Sequence, residues 1–130
     1  MTIEARRLQV DRFILEQIDS VPHLEALLLL FNSQPKLWSV EEMGASLYVR
    51  DDVAEKILQG LQQRNLIAVD SRKPETYFYS AESQERNRLL ESVNEIYRKE
   101  VVRISSMIHS KASAGVRDFA RAFRIKKDKE

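Results

Sequence analysis

The sequence contains no cysteine, and it has only three glycines and two histidines among its 130 residues. Without cysteine, a disulfide framework, a thiolate nucleophile and a cysteine-ligated metal site are all excluded. Gly44, Gly60 and Gly115 lie far apart and form no phosphate-cradling loop. Neither His23 nor His109 has further ligands at metal-binding spacing. We therefore predict that the protein is not an enzyme and has no metal site and no cofactor.

Long hydrophobic runs are also missing. The longest unbroken run, Ala26 to Phe31, is too short to span a membrane, and the N-terminal residues lack the apolar run and cleavage site of a signal peptide. With 43% hydrophobic and 32% charged residues, the composition is typical of one soluble domain with an appendage. We expect a cytoplasmic protein.

The net charge is only +1, but the charge is unevenly distributed. Residues 1–80 contain nine Lys/Arg and twelve Asp/Glu, whereas residues 81–130 contain twelve and eight. The first part of the chain is therefore acidic and the last part is basic, which bears on the partners each part can bind.

The first 19 residues are predicted to be a helical extension, because Asp11 to Ile18 has apolar residues at helical spacing. A core helix is predicted from Val21 to Asn32, with Ser20 as its N-cap and Pro22 in its first turn. Its nearly continuous apolar surface indicates that it is covered on most sides.

The stretch from residue 39 to residue 79 predicts two helices joined by a tight turn, followed by two short strands. Ser39 and Glu42 have the spacing of a capping box, and Asp51 or Asp52 is expected to cap the next helix. Leu66–Val69 and Thr76–Tyr79 read as a β-hairpin around a basic turn. This order is that of a winged helix-turn-helix over residues 20–80, a mainly α fold with a small β-hairpin wing, followed by a long C-terminal helix.

In such a fold the second helix of the helix-turn-helix lies in the DNA major groove and the wing contacts the backbone. Helical projection places Gln59 and Gln63 outward, where they can contact bases, together with Lys56. The predicted nucleic-acid-binding residues are Arg50, Lys56, Gln59, Gln63, Arg72 and Lys73. Asp51, Asp52 and Glu55 would lie near phosphates and oppose binding, although acids in a first helical turn also stabilise the helix.

Residues 81–113 are predicted to form one long amphipathic helix. Its apolar stripe is longer than a winged core of some sixty residues, so part of it is expected to contact a second copy of the chain or another partner. The predicted contact residues are Leu90, Val93, Tyr97, Ile104 and Met107. The alternative is that the helix folds back on its own core.

Residues 114–130 are predicted to form a basic amphipathic tail. The spacing of Val116, Phe119, Ala120 and Phe123 would place them on one helical face, with cations around it. The basic residues singled out are Arg117, Arg121, Arg124, Lys126 and Lys127. This pattern is typical of segments that bind an anionic membrane surface, a groove on a protein partner or nucleic acid. The alternative is a solvated terminus that binds nothing.

The helix-turn-helix and wing resemble the winged-helix domains of bacterial transcriptional regulators, broadly of the MarR-like kind. The segments Ile18–Leu28, Leu47–Val49 and Ile108–Lys111 also resemble a group of small proteobacterial winged-helix proteins. In MarR-like regulators, helices that flank the winged core form the dimer, and the resemblance implies the same role for the long helix here.

Two hypotheses follow. In the first, the protein is a dimeric transcriptional regulator that binds double-stranded DNA through its winged helix. In the second, it is an adaptor that retains the winged fold without binding DNA, and the long helix and basic tail engage a protein partner or the inner membrane surface.

Overall fold

The computed structural model describes residues 2–72 and 75–111, and most of them are helical. The helices are α1 (Ile3–Gln17), α2 (Val21–Asn32), α3 (Val40–Leu47), α4 (Asp51–Gln63) and α5 (Gln84–Lys99), followed by α6 over residues 101–111. Strands β1 (Ala68–Asp70) and β2 (Thr76–Phe78) form an antiparallel hairpin between α4 and α5. This element order confirms the predicted fold class.

Side-chain caps fix where the helices begin. Ser20 accepts a hydrogen bond from the backbone of His23 at the start of α2, as predicted. The Ser39 side chain accepts from the Glu42 backbone at 3.1 Å and the Glu42 carboxylate accepts from the Ser39 backbone at 3.2 Å, which confirms the capping box. These bonds satisfy amide groups that would otherwise lack a partner in the first helical turn.

Helix α1 begins at Ile3, inside the helical extension predicted for residues 1–19, because Thr2 accepts a hydrogen bond from the backbone of Ala5 and caps the helix. The predicted start of α4 is wrong. Helix α4 begins after Arg50, whose side chain makes no capping hydrogen bond, so Asp51 belongs to the first turn of the helix. Its carboxylate still favourably opposes the helix dipole there.

The core forms around α2, which packs against α3, α4, α5 and β2. Leu24, Leu27 and Leu30 of this helix are fully buried. Helix α1 lies against α5 and adds Val10 and Ile14 to the same core. The near-continuous apolar sequence of α2 is thus explained, since helices cover it on several sides.

The wing hairpin is joined to the helix-turn-helix by Trp38. The backbone N–H of Trp38 donates to the carbonyl of Tyr77 at 2.7 Å, and the Tyr77 N–H donates to the Trp38 carbonyl at 2.8 Å. This bridge places Trp38 beside β2 as a short first strand, as predicted. The Trp38 indole N–H donates to the Ser33 hydroxyl, so the buried ring has its polar group satisfied.

The predicted long helix is present, but it is interrupted at Glu100. This residue has φ −129° and ψ 45°, outside the helical region, and it ends α5 immediately before α6. Two β-branched residues, Val101 and Val102, follow and weaken the helix locally. Val93 of α5 and Ile104 of α6, on either side of the interruption, both belong to the single core.

Charged side chains surround this interruption. Glu100 accepts hydrogen bonds from Arg7 and from Arg103, each at 2.7 Å, and Arg103 also donates to Asp11 at 2.9 Å. Arg7 and Asp11 belong to α1, so the network ties α1 to the junction between α5 and α6. Hydrogen bonding to Arg103 lowers the pKa of Glu100, which keeps its carboxylate charged in the network.

Candidate nucleic-acid interface

The turn between α3 and α4 brings the two helices unusually close. A Cβ atom on Gly44 would lie 3.1 Å from the Val49 carbonyl oxygen and 3.1 Å from an Asp51 carboxylate oxygen. Tyr48 reverses the chain with φ 58° and ψ 42°, a left-handed conformation that is costly for a residue with a side chain. Gly44 therefore allows the close approach at this turn, and the turn fixes how α4 is presented.

Helix α4 is amphipathic, and its outward face is the one predicted. Ala54, Ile57, Leu58 and Leu61 are buried, whereas Lys56, Gln59 and Gln63 are exposed on the opposite side. The three exposed polar residues follow one another along the helix at steps of three and four residues, so they form one ridge. A polar ridge on an exposed helix has the shape and the donors that major-groove contacts require.

Acidic residues share this outward face. Asp52 and Glu55 are exposed, and the Gln59 side-chain amide donates to the Glu55 carboxylate at 3.4 Å. The pKa of Tyr77 is raised mainly by burial and then by the charges of Glu75 and Glu55.

The two described arginines predicted to bind phosphate each lie near a carboxylate. Arg50, with 84% of its side chain exposed, pairs with Asp52 at 3.1 Å. Arg72, with 92% exposed, lies 3.7 Å from Asp70 in the wing. Such exposed ion pairs contribute only about 0–1 kcal/mol, so either arginine can exchange its carboxylate for a phosphate at little cost. Lys73, predicted to act beside Arg72, lies outside the described residues.

The residues of the long helix that were predicted to contact a partner are largely buried within this chain. Leu90, Val93 and Ile104 are fully buried within the single chain, and Tyr97 and Met107 are half-buried against the same core. The prediction that these residues contact a second chain is therefore wrong for the buried three. The observed packing is that of the alternative prediction, in which the long helix folds back on its own core.

A cleft between α1 and the beginning of α5 was not predicted from the sequence. Its volume is about 850 Å³. Arg86 of α5 lies over the ring of Phe13 with 5.4 Å between the guanidinium carbon and the ring centre. Arginines and glutamates line the cleft in similar number, so its charge is nearly balanced. They are Arg6, Arg12, Arg86, Arg88, Glu16, Glu82 and Glu85.

Within residues 2–72 and 75–111, no group of three His, Asp or Glu side chains is arranged to hold a metal ion. None of the described helices is long and apolar enough to cross a membrane. The basic tail residues Arg117, Arg121, Arg124, Lys126 and Lys127 lie beyond the described part of the chain.

Solved structures with this arrangement of helices and wing are known. The complex of Staphylococcus aureus MepR with DNA superposes with a TM-score of 0.55 at 11% identity, covering 92% of this chain and 93% of that one. A MarR family protein from Bacillus stearothermophilus gives a TM-score of 0.52 at 13% identity, covering 97% and 85%. The fold is the MarR-type winged helix.

The heme sensor PefR from Streptococcus agalactiae has the same MarR-type fold, with a TM-score of 0.51 at 13% identity over 92% of this chain and 87% of that one. Comparisons with protein-family models and with curated protein sequences gave no match. At these identities, the shared property is the path of the backbone.

Proposed function

We propose that the protein is a DNA-binding transcriptional regulator, in which α4 enters the major groove and the wing contacts the backbone. The observation that carries this proposal is the exposed polar ridge of Lys56, Gln59 and Gln63 on the helix that the MarR-type fold presents outward. That one of the solved structures with this fold is a complex with DNA supports the same orientation.

Each residue of the interface has a distinct role in this proposal. Gln59 and Gln63 donate and accept hydrogen bonds at adenine edges, and Lys56 contacts a guanine or a phosphate. Arg50 and Arg72 bind phosphates on either side of the groove, and Lys73 adds a cation to the wing. For Gln59 to reach a base, its hydrogen bond to Glu55 must be exchanged for one to the base.

Fluorescence anisotropy of labelled duplex DNA, measured with the full chain and with a 1–113 truncation across a salt series, tests the proposal. We expect the truncation to retain binding with a steep dependence on salt, because released counterions drive phosphate contacts. Replacing Arg72 and Lys73 by alanine should weaken binding and lower the salt slope by about 2. Arg88→Ala with Arg98→Ala, exposed cations of α5, is the matched control. Loss of binding on truncation would contradict the proposal.

A homodimer is part of this proposal, with a contact surface different from the predicted stripe. Leu8 of α1 is 70% exposed and Val102 of α6 is 80% exposed. The ion pairs of Arg7 with Glu100 and of Asp11 with Arg103 hold these two segments against each other. Exposed apolar residues on adjoining helices favour burial against a second copy.

Sedimentation velocity tests the dimer. Leu8→Glu combined with Val102→Glu should shift the dimer to monomer, because each introduced charge would be buried at the contact. The control is Leu37→Glu, at a leucine that is 46% exposed and lies between α2 and α3. A wild-type chain that remains monomeric at high micromolar concentration would remove the dimer from the proposal.

A second candidate function is a winged-helix adaptor that binds a protein partner or an anionic membrane surface. The observation that favours it is the exposed carboxylates at the beginning of α4, Asp51 and Asp52, with Glu55 one turn later. This function predicts no duplex affinity beyond what the basic tail confers. Co-sedimentation with anionic liposomes that is unchanged after deletion of residues 114–130 would contradict its membrane version.

A further inference from the structure

Tyr48, in the turn between α3 and α4, is the most exposed of the large hydrophobic residues that the structure describes, with 94% of its surface accessible. Its φ of 58° and ψ of 42° lie in the left-handed region, which is unfavourable for a residue with a Cβ. A ring this exposed gains little packing in return. Residues held in such conformations are concentrated at binding and switch sites. Tyr48 therefore has the properties of a contact residue whose partner lies outside the chain.

The other three tyrosines of the sequence belong to the packing of the fold. Tyr77 and Tyr79 are buried in the core. The Tyr97 hydroxyl donates to Glu25 at 3.1 Å, and this bond connects α5 to α2. Tyr48, by contrast, keeps both its ring and its hydroxyl in solvent. It is therefore available to a ligand that accepts a hydrogen bond from a phenol.

The turn places Tyr48 at the N-terminal end of α4. This helix begins at Asp51, three residues after Tyr48. In complexes of helix-turn-helix proteins, the N-terminal residues of the second helix contact base edges, whereas the first helix crosses the DNA backbone. A residue between the two helices consequently lies where the groove meets the phosphates. Arg50, which the proposed function assigns to a phosphate, is only two residues away, with 84% of its side chain exposed.

A phosphate oxygen is the acceptor that suits this side chain. Tyrosine hydroxyls are among the groups that bind DNA phosphates, and a hydrogen bond to a charged acceptor is stronger than one between neutral groups. Arg50 pairs with Asp52 at 3.1 Å and must leave that carboxylate before it binds a phosphate. Because the Tyr48 side chain is almost fully exposed, it can donate to DNA with little loss of contact within the protein.

We propose that the Tyr48 hydroxyl donates a hydrogen bond to a phosphate oxygen at the edge of the groove that α4 enters. The left-handed turn holds the ring outside both helices, where it meets the DNA backbone. A backbone contact of this kind positions the protein on the duplex and reads no base. The contact rests on the proposed function, because it adds one more residue to the same interface.

Fluorescence anisotropy of the full chain with a labelled duplex of mixed sequence, measured across a salt series, tests the contact. Tyr48→Phe removes only the hydroxyl, and the affinity should fall roughly tenfold. Because no cation is removed, counterion release is unchanged, so plots of log affinity against log salt should be parallel for the variant and the wild type. Arg72→Ala with Lys73→Ala should instead lower the slope. The loss in Tyr48→Phe should also be the same for duplexes of different sequence.

Two further variants separate binding from folding. Tyr97→Phe is the matched control, because it also removes one phenolic hydroxyl, at a residue of α5 that binds Glu25 of α2, and it should retain the wild-type affinity. Tyr48→Gly removes the ring at a turn whose conformation glycine adopts readily. It should bind DNA more weakly while its stability rises. If Tyr48 served only the fold, affinity and stability would change in the same direction.

Three outcomes would overturn the Tyr48 contact alone, with DNA binding by the wild type intact. The first is wild-type affinity in Tyr48→Phe, and the second is an equal loss of affinity in Tyr97→Phe. The third is a lower salt slope in Tyr48→Phe, which would show that a charged contact had been lost instead. If the wild-type chain bound no duplex at any salt concentration, the proposed function would fail and the Tyr48 contact with it. The two failures are therefore observed separately.

Discussion

Replacing Tyr48 by glycine is expected to stabilise the protein, although it removes a large aromatic side chain. Tyr48 has φ 58° and ψ 42°, and 94% of its surface is exposed. A left-handed conformation costs a residue with a Cβ about 1–2 kcal/mol, and glycine avoids that cost. Glycine also loses about 0.5–1 kcal/mol more backbone entropy on folding. The net gain is therefore about 0.5–1 kcal/mol, since so exposed a ring contributes little packing.

Urea unfolding followed by circular dichroism measures this gain, and thermal unfolding should show a rise of about 2–4 °C. Tyr48→Ala is the matched variant, because it removes the ring but keeps the Cβ, and its stability should stay near that of the wild type. Asn65→Gly changes the other non-glycine residue with positive φ, at 60°. Asparagine tolerates this conformation better, so that gain should be smaller. Equal stabilities of Tyr48→Gly and Tyr48→Ala would refute the reasoning.

Two further predictions concern the glycines of α3 and α4 and the histidine of α2. Gly60→Ala should raise the free energy of unfolding by about 0.5–1 kcal/mol, because its Cβ would meet His23 at an ordinary 3.5 Å. Gly44→Ala should lower the free energy of unfolding, because the new Cβ would lie 3.1 Å from the Val49 backbone oxygen. Chemical denaturation measures both changes, and stability changes of the same sign in the two variants would contradict the packing of α3 on α4. Burial lowers the pKa of His23 below its ordinary 6.5, despite the nearby Asp19 carboxylate. His23 therefore binds a proton more readily in the unfolded chain than in the folded one. The free energy of unfolding is highest above pH 6.5, and it decreases as the pH falls below that value towards the lower pKa of His23 in the folded protein. Unfolding curves between pH 8 and pH 5 should show a shallower decline in His23→Gln than in the wild type, and parallel curves would refute the assignment.

The local elements were predictable because their signals are local. A helix start depends on a few consecutive residues, so Ser20 and the pair Ser39 and Glu42 indicated α2 and α3 correctly. The outward face of α4 was predictable for the same reason, since the 3.6-residue period fixes which side chains lie opposite a buried stripe. The wing was predictable from two short segments of β-favouring residues separated by a turn.

The error over the long helix has a different origin. The apolar pattern of residues 84–111 continues across Glu100, so periodicity predicted one helix with a surplus face. At the interruption, Glu100 and Arg103 bind Arg7 and Asp11, which lie some ninety residues away in α1. Side-chain partners so distant in sequence leave no periodic signal.

The sequence by itself determined the winged helix, the residues on the outer face of α4 and the opposite net charges of residues 1–80 and 81–130. These depend on residue type and on spacing within single elements. Only the tertiary structure decided that Leu90, Val93 and Ile104 are internal and that Arg50 lies against Asp52. It also decided that Tyr48 is left exposed. The physical reason is that burial and ion pairing depend on which elements meet, and that is set by packing over the whole chain.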